Sequence, residues 1–171
     1  MGGSGPRIYV ACLAAYNQGD LHGAWIDADQ DEDAIHEEIR AMLAASPVGD
    51  AESYAIHDYD GFYGVRLDEY EPISKVREIA EFLGEVDKPE LAKLLLQVDD
   101  DLETARDRLK NHYIGGYSSL RDFGESQIDF SEVPQYLHGY IDSEKFARDM
   151  RLGGEILVVE SGGVHHVFWN H

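Results

Sequence analysis

The feature that most constrains this chain is a first third that has almost no positive charge and yet carries enough apolar residues for a core. Residues 8–65 contain twelve acidic side chains and a single basic one, Arg40. Such a segment stays disordered unless its apolar residues recur at the spacing of a strand or a helix. Here the apolar run at 8–15 and the alternating stretch at 53–60 have the pattern of strands. The segment therefore folds with most of its carboxylates on the surface.

The charge of the whole chain excludes two classes of partner. The 171 residues have a formal net charge of −20 and are 43% apolar. A chain of this charge repels nucleic acid and anionic membrane surfaces, so we expect neither as a direct partner. It attracts cations and basic protein surfaces. Because a small domain needs a net charge of only about 2–8 in magnitude to stay soluble, the excess indicates a function of the charge itself.

Cysteine content and hydropathy bear on the compartment. Cys12 is the sole cysteine, which excludes an internal disulfide and fits a reducing compartment. No apolar run reaches the length of about 18 residues that a transmembrane helix needs. Residues 1–6 have the composition of a linker or tag rather than of a signal peptide. We predict a cytoplasmic protein.

Apolar periodicity predicts an elongated α+β chain of three small domains after the linker at 1–6. The N-terminal domain combines a three-stranded antiparallel sheet with one helix. The central domain is a helical bundle, and the C-terminal α+β domain contains an antiparallel hairpin. In chain order the predicted domains span residues 7–66, 67–112 and 113–171.

Glycine pairs indicate two chain reversals. Gly162 and Gly163 favour the tight turn of a hairpin, whereas Gly115 and Gly116 are interpreted as the end of a helix. The predicted elements, in chain order, are strands at 8–15 and 21–27, a helix at 31–45, a strand at 53–60, helices at 72–86, 91–98, 99–112, 118–125 and 134–150, and strands at 155–160 and 164–169.

Two predicted helices, at 72–86 and 99–112, carry acidic residues at positions i, i+3 and i+7. Successive carboxylates are then about 4.5–6 Å apart along the helix axis, within a factor of two of the charge spacing on one DNA strand, about 3.4 Å. A solvated face explains either stripe alone, and Arg106, Arg108 and Lys110 dilute the second. Both stripes and the acidic first third together predict a surface for a basic partner. Its candidate residues are Asp27, Asp29, Asp31, Asp33, Glu37, Asp58, Asp60, Glu78, Glu81, Glu85, Asp100, Glu103 and Asp107.

A calcium-binding module is a lesser alternative. Asp27, Asp29, Asp31 and Glu38 match four positions of an EF-hand loop. Glu32 stands where that loop needs glycine for its sharp turn, and a predicted strand rather than a helix precedes it. The purely structural interpretation of these residues is the start of a helix with acidic side chains in its first turn.

The sequence contains no catalytic or metal-binding motif that would support an enzyme. The histidines near Asp58 and near the C-terminus, His57, His165 and His166, alternate along strands, so neighbouring side chains face opposite ways. No nucleophile elbow, phosphate-binding loop, zinc-peptidase helix or dinucleotide fingerprint is present. We predict a protein without catalysis, metal or cofactor. An acidic inhibitor or chaperone of a basic DNA-binding protein fits the charge.

Several strings resemble the ArdA antirestriction family. They are RIYVACLAAYN at 7–17, LHGAWIDA at 21–28, AIHDYDGF at 55–62, LHGYIDSEKFARDM at 137–150 and VHHVFW at 164–169. The string at 137–150 resembles the antirestriction motif of the family. Because the strings follow one another in order, the resemblance extends over essentially residues 7–171.

The resemblance implies a non-enzymatic protein, encoded on mobile elements, that mimics the shape and charge of bent B-form DNA. It implies that the protein occupies the DNA-binding groove of type I restriction–modification enzymes, mainly at the methyltransferase core, and blocks restriction and also methylation. It further implies a homodimer joined near the motif. Gly139 and Ser143 depart from the motif and are expected to loosen that contact. The motif and dimer residues expected from the resemblance are Leu137, Tyr140, Ile141, Asp142, Phe146, Ala147, Arg148, Asp149 and Met150.

Overall fold

The computed structural model describes residues 5–99 and 101–170, so Asp100 and most of the predicted linker lie outside the described part. The fold is α+β, as predicted, with two three-stranded antiparallel sheets. The chain divides into two compact units, one ending at Pro89 and the other beginning at Glu90. That boundary falls inside the predicted central domain, and the three-domain elongated arrangement stays a prediction.

The sheet of the first unit has the order β2-β1-β3. Its strands are β1 (Arg7–Cys12), β2 (Gly23–Asp27) and β3 (Tyr54–Asp60), and both pairings are antiparallel. The predicted hairpin of β1 and β2 is confirmed. Strand β1 ends earlier than predicted because a single helical turn, α1 (Leu13–Asn17), follows it at once; its Leu-Ala-Ala start favours helix.

Two helices complete the first unit, α2 (Glu32–Ala44) and α3 (Ile73–Glu85). Both agree with the predicted ranges to within one residue at each end. Helix α2 lies against β1 and β2 and also contacts α3. It buries apolar residues spaced three or four positions apart, because that spacing places them on one helical face. These core residues are Ile35, Ile39 and Met42.

The second unit begins with one helix that is longer than predicted and one that is shorter. Helix α4 (Pro89–Asp99) starts at the last residue of the first unit and is followed by α5 (Leu102–Asp107). The Asp101 carboxylate caps α5 by accepting the backbone N–H of Thr104 at 3.0 Å. A π-helical turn at Arg108–His112 then replaces the end of the α-helix predicted at 99–112.

The second sheet has the order β4-β6-β5, with β4 (Tyr113–Tyr117), β5 (Ile156–Ser161) and β6 (Val164–Trp169). The interpretation of the glycine pair in β4 as a helix stop is wrong. A Cβ atom at Gly116 would lie 2.8 Å from Cγ1 of Val164, so glycine is what lets β4 approach β6. The predicted hairpin of β5 and β6 is confirmed, and both of its turn glycines have positive φ.

The helix predicted at 134–150 is broken. A 3₁₀ segment, Gln135–Tyr140, precedes helix α7 (Ser143–Leu152), and Asp142 between them accepts the backbone N–H of Lys145 at 3.0 Å. An aspartate with extended backbone favours a helix start over a helix interior, which explains the break. Helix α6 (Leu120–Gln127) packs against α7.

The core of the second unit joins these two helices to the sheet. Its buried cluster comprises Phe123, Ala147, Ile156, Val158 and Val167.

Candidate functional site

All described residues of the predicted acidic surface are exposed. The apolar faces of α2 and α3 are buried, so the acidic residues on the opposite face of each helix are exposed to solvent. Asp100, the remaining predicted residue, lies outside the described part of the chain. The exposed set is Asp27, Asp29, Asp31, Asp33, Glu37, Asp58, Asp60, Glu78, Glu81, Glu85, Glu103 and Asp107.

The first unit carries five of these carboxylates between the end of β2 and the first half of α2. Asp31 precedes the helix with extended backbone, and its side chain makes no capping hydrogen bond. The Gln30 side chain donates to the Asp27 carbonyl oxygen at 2.9 Å and to the Glu38 carboxylate. The stretch that resembles a calcium-binding loop is in the structure the end of β2, a bend and the start of α2. The described residues contain no group of three or more His, Cys, Asp or Glu side chains placed to hold a metal ion.

Helix α3 carries the first of the two acidic stripes. Glu81 forms an ion pair with Arg77, 3.5 Å from Nη1 to the carboxylate, and Arg77 also donates from Nε to the carbonyl oxygen of Gln30 at 3.2 Å. Arg77 thus offsets part of the negative charge of the stripe that Glu78, Glu81 and Glu85 form.

The described part of the second stripe, Glu103 and Asp107, lies on α5. A hydrogen bond from the Asn111 side chain, with a further one from His112, lowers the pKa of Asp107 below its usual value. A lowered pKa keeps this exposed carboxylate ionised well below neutral pH. Glu103 lies one turn earlier on the same helix.

Arg108 is hydrogen-bonded within the second unit, and its positive charge also contributes to the lowered pKa of Asp107. Its guanidinium donates two hydrogen bonds to Asp99, at 2.7 and 3.0 Å, and a third to Asn170 at 2.9 Å. The Arg108 and Asp99 side chains retain only 15% and 6% of their exposure. This cation therefore serves the internal structure of the second unit.

Strand register brings three predicted acids to one face of the first sheet. Asp27 and Asp60 lie on either side of Arg7, and Asp58 lies opposite Tyr9. Residues that pair directly across strands share a face. The Arg7 guanidinium lies 3.5 Å from the Asp60 carboxylate.

The same face carries aromatic residues that the candidate list omits. Tyr9 pairs in register with Trp25, and their ring centroids are 5.5 Å apart. Arg7 Cζ lies 4.7 Å from the Trp25 ring centroid. The alternation of side chains along β1 and β2 could have indicated this cluster from the sequence, because residues 7 and 9, like residues 25 and 27, share a face.

The motif at 137–150 divides into exposed and buried residues. Tyr140 is 86% exposed, and Leu137 and Phe146 remain about half as accessible, at 39% and 41%. Ala147, by contrast, is fully buried in the core of its own unit, and Met150 packs against that core. Ile141 is half-buried, whereas Asp142, Arg148 and Asp149 are exposed.

The two departures from the motif lie in different environments. Ser143 is buried, and its carbonyl oxygen lies 2.0 Å from where a Cβ atom of Gly124 would be. Ser143 therefore lies at the contact of α6 with α7 rather than on the exposed surface of the motif. A Cβ atom at Gly139 would meet open space, so this glycine leaves the surface of the 3₁₀ segment without a side chain.

A family model described as antirestriction protein (ArdA) matches residues 8–165. The chain belongs to this family. The match contains most of the resembling strings, including the motif at 137–150. ArdA membership gives the chain an antirestriction function and implies an interaction with restriction enzymes.

Two further findings accompany the family match. No curated protein matches the chain. Within the described residues, the helices are all too short or too polar to cross a lipid bilayer.

Proposed function

We propose that this ArdA protein inhibits type I restriction–modification enzymes by standing in for duplex DNA in the groove of the methyltransferase core. The observation that carries the proposal is the exposure of every described carboxylate of the acidic surface on a folded scaffold. Fixed carboxylates present charge as phosphates do, without bases. Binding is therefore blind to recognition sequence, since phosphates position a protein and bases specify it. Methylation is blocked together with restriction, because both need the groove.

Counterion release supplies the driving force in this mechanism. A groove lined with lysine and arginine holds screening anions, and a polyanionic partner displaces them. The surplus of negative charge, −20 for the chain, remains after every cation is counted, and two of these cations are paired with carboxylates of their own unit. Arg108 is committed to Asp99, and Arg77 to Glu81. No catalytic step, metal or cofactor is needed.

We further propose that the active form is a homodimer that uses the apolar part of the motif. Leu137, Tyr140 and Phe146 expose apolar surface that association would cover. Two chains of −20 each carry the charge of roughly 20 base pairs, at two charges per 3.4 Å of duplex. Ala147 and Met150 would support this surface from within rather than contact the partner.

The test is competition with labelled duplex DNA for a purified type I methyltransferase core. We expect displacement of the duplex, with an affinity that falls steeply as salt is raised, because each neutralised charge releases a counterion. Affinity that is high and independent of salt would contradict the electrostatic mechanism. Failure to displace DNA, with capture of another basic DNA-binding protein from a lysate, would favour the acidic inhibitor or chaperone.

The distribution of charge provides a second arm of this test. Amide substitutions of the α2-region carboxylates together are expected to weaken inhibition more than any one alone, because mimicry sums many contacts. A matched control neutralises Glu90, Glu125, Glu132, Glu155 and Glu160, which are exposed and lie outside both the candidate surface and the motif at 137–150. Equal loss in both sets would indicate net charge rather than a defined surface. The test residues are Asp27, Asp29, Asp31, Asp33 and Glu37.

A further inference from the structure

The open face of the first sheet holds an aromatic pair that charge mimicry does not require. Trp25 is 43% exposed, and its ring is tilted by 55° against that of Tyr9. A Cβ atom at Gly23 would lie 2.8 Å from the tip of the Tyr9 ring and 2.5 Å from the Val10 carbonyl oxygen. Glycine at this position is therefore what allows the tyrosine ring to lie against the sheet.

Arg7 shows what kind of group this face accepts. Its guanidinium is near both the Trp25 ring, at 4.7 Å, and the Asp60 carboxylate, at 3.5 Å. Its Nε is buried and has no hydrogen-bond partner among the described residues. The face thus holds the arginine of its own chain by stacking and one ion pair, with one donor left unsatisfied.

We propose that this face is a binding subsite for an arginine of the partner enzyme, and that Arg7 occupies it in the free protein. The inference rests on the proposed function. A planar guanidinium can stack on an indole ring and pair with a carboxylate at once, whereas a lysine ammonium is a compact, strongly hydrated charge. Tryptophan and arginine are also the residues that dominate binding at protein interfaces.

Charge complementarity identifies the occupant as cationic. Asp27, Asp58 and Asp60 share this face with Arg7, so among the described residues of the three paired strands the carboxylates on this face outnumber the cation, and the face is anionic even when Arg7 is in place. Asp27 lies across the strand from Arg7 on the side opposite Asp60. A guanidinium from the partner would find a ring to stack on and carboxylates on both sides. This contact would add a short-range component to long-range electrostatic attraction.

The experiment compares matched pairs of variants in the displacement of labelled duplex DNA from the methyltransferase core. Trp25→Ala is expected to weaken binding about tenfold, the magnitude of a largely desolvated cation–π contact. Tyr70→Ala, its control, removes another exposed aromatic, 69% accessible, and is expected to change binding less than twofold. Circular dichroism checks that each variant is folded.

The second pair tests the role of Arg7. Arg7→Ala and Arg40→Ala remove one positive charge each, and Arg40 is exposed on α2. Arg7→Ala is expected to strengthen binding at least about threefold more than Arg40→Ala, because it also removes a competitor for the Trp25 ring. This difference persists at high salt, which screens the effect of net charge.

The outcomes separate the two proposals. Wild-type protein that displaces DNA, with Arg7→Ala equal to Arg40→Ala or Trp25→Ala equal to Tyr70→Ala, overturns the arginine subsite and leaves DNA mimicry intact. Wild-type protein that fails to displace DNA overturns both. Should Trp25→Ala not fold, the comparison of the two arginine variants decides alone.

Discussion

Arg108 joins three parts of the second unit through one guanidinium: the end of α4 at Asp99, the π-helical turn and Asn170 after β6. Both members of the ion pair are largely removed from water. The Coulombic attraction between buried charges is offset by the cost of their desolvation, so such a pair adds little net stability. Removing one partner of the pair lowers stability, because the other charge then stays buried without compensation.

We therefore predict that Arg108→Ala lowers the free energy of unfolding by about 3–5 kcal/mol. Arg121→Ala is the matched control, since Arg121 pairs with Glu125 at the surface, with both side chains well exposed. Its expected effect is below about 1 kcal/mol. Urea unfolding followed by circular dichroism measures both. Equal effects would mean that the Arg108 pair is accessible to solvent.

The contact between α6 and α7 depends on the absence of a side chain at Gly124. A Cβ atom there would lie 2.0 Å from the carbonyl oxygen of Ser143 and 3.4 Å from Cβ of Ala147. Because the closest atom belongs to the backbone, α7 would have to move as a whole. Helix α7 carries the second half of the motif, so this contact positions Phe146, Arg148 and Asp149.

We predict that Gly124→Ala destabilises the protein by about 1–3 kcal/mol, the usual cost of overpacking. Gly84→Ala is the control, because Gly84 lies in α3 with nothing near its missing Cβ. That change is expected to stabilise the protein by about 0.5–1 kcal/mol through lower chain entropy in the unfolded state. Thermal unfolding separates them by sign; a stable Gly124→Ala variant would refute the close packing of α6 on α7.

Elements with a strong apolar pattern were predictable from the sequence. Elements that form only through contacts with other parts of the fold were not. Helices α2 and α3 follow from apolar stripes, and β5 and β6 follow from β-rich apolar runs on either side of a glycine turn. Strand β4 has the sequence Tyr-Ile-Gly-Gly-Tyr, which lacks a strand pattern. It is a strand because β6 supplies hydrogen-bond partners and glycine permits the approach, and both are tertiary effects.

The candidate surface shows the same limit. Exposure of the acids on α2 and α3 follows from helical periodicity, since the opposite face is apolar. The meeting of Arg7 with Trp25 and Asp60 depends on the register of three strands, and β1 pairs with β3 across a register shift after Tyr9. Register between distant segments is not contained in the period of either one.

At the scale of the molecule, the surplus of negative charge acts on folding and on binding in opposite ways. Residues 8–65 hold twelve carboxylates and one guanidinium, so the folded first unit concentrates like charges that the unfolded chain spreads apart. This self-repulsion destabilises the compact state. Salt shortens the range of the repulsion, from about 10 Å at 0.1 M to about 3 Å at 1 M.

We predict that raising NaCl from about 50 mM to about 500 mM increases the thermal unfolding midpoint while it weakens inhibition of the methyltransferase core. Calorimetry and DNA competition on the same samples measure the two effects. A variant with amides at Asp27, Asp29, Asp31, Asp33 and Glu37 provides the control, because it carries less repulsion and should gain less stability from salt. A midpoint that falls with salt, or an equal gain in that variant, would show that repulsion among these carboxylates does not limit the fold. With opposite signs confirmed, the excess of carboxylates costs stability, and that cost is the physical evidence that the charge serves binding rather than folding.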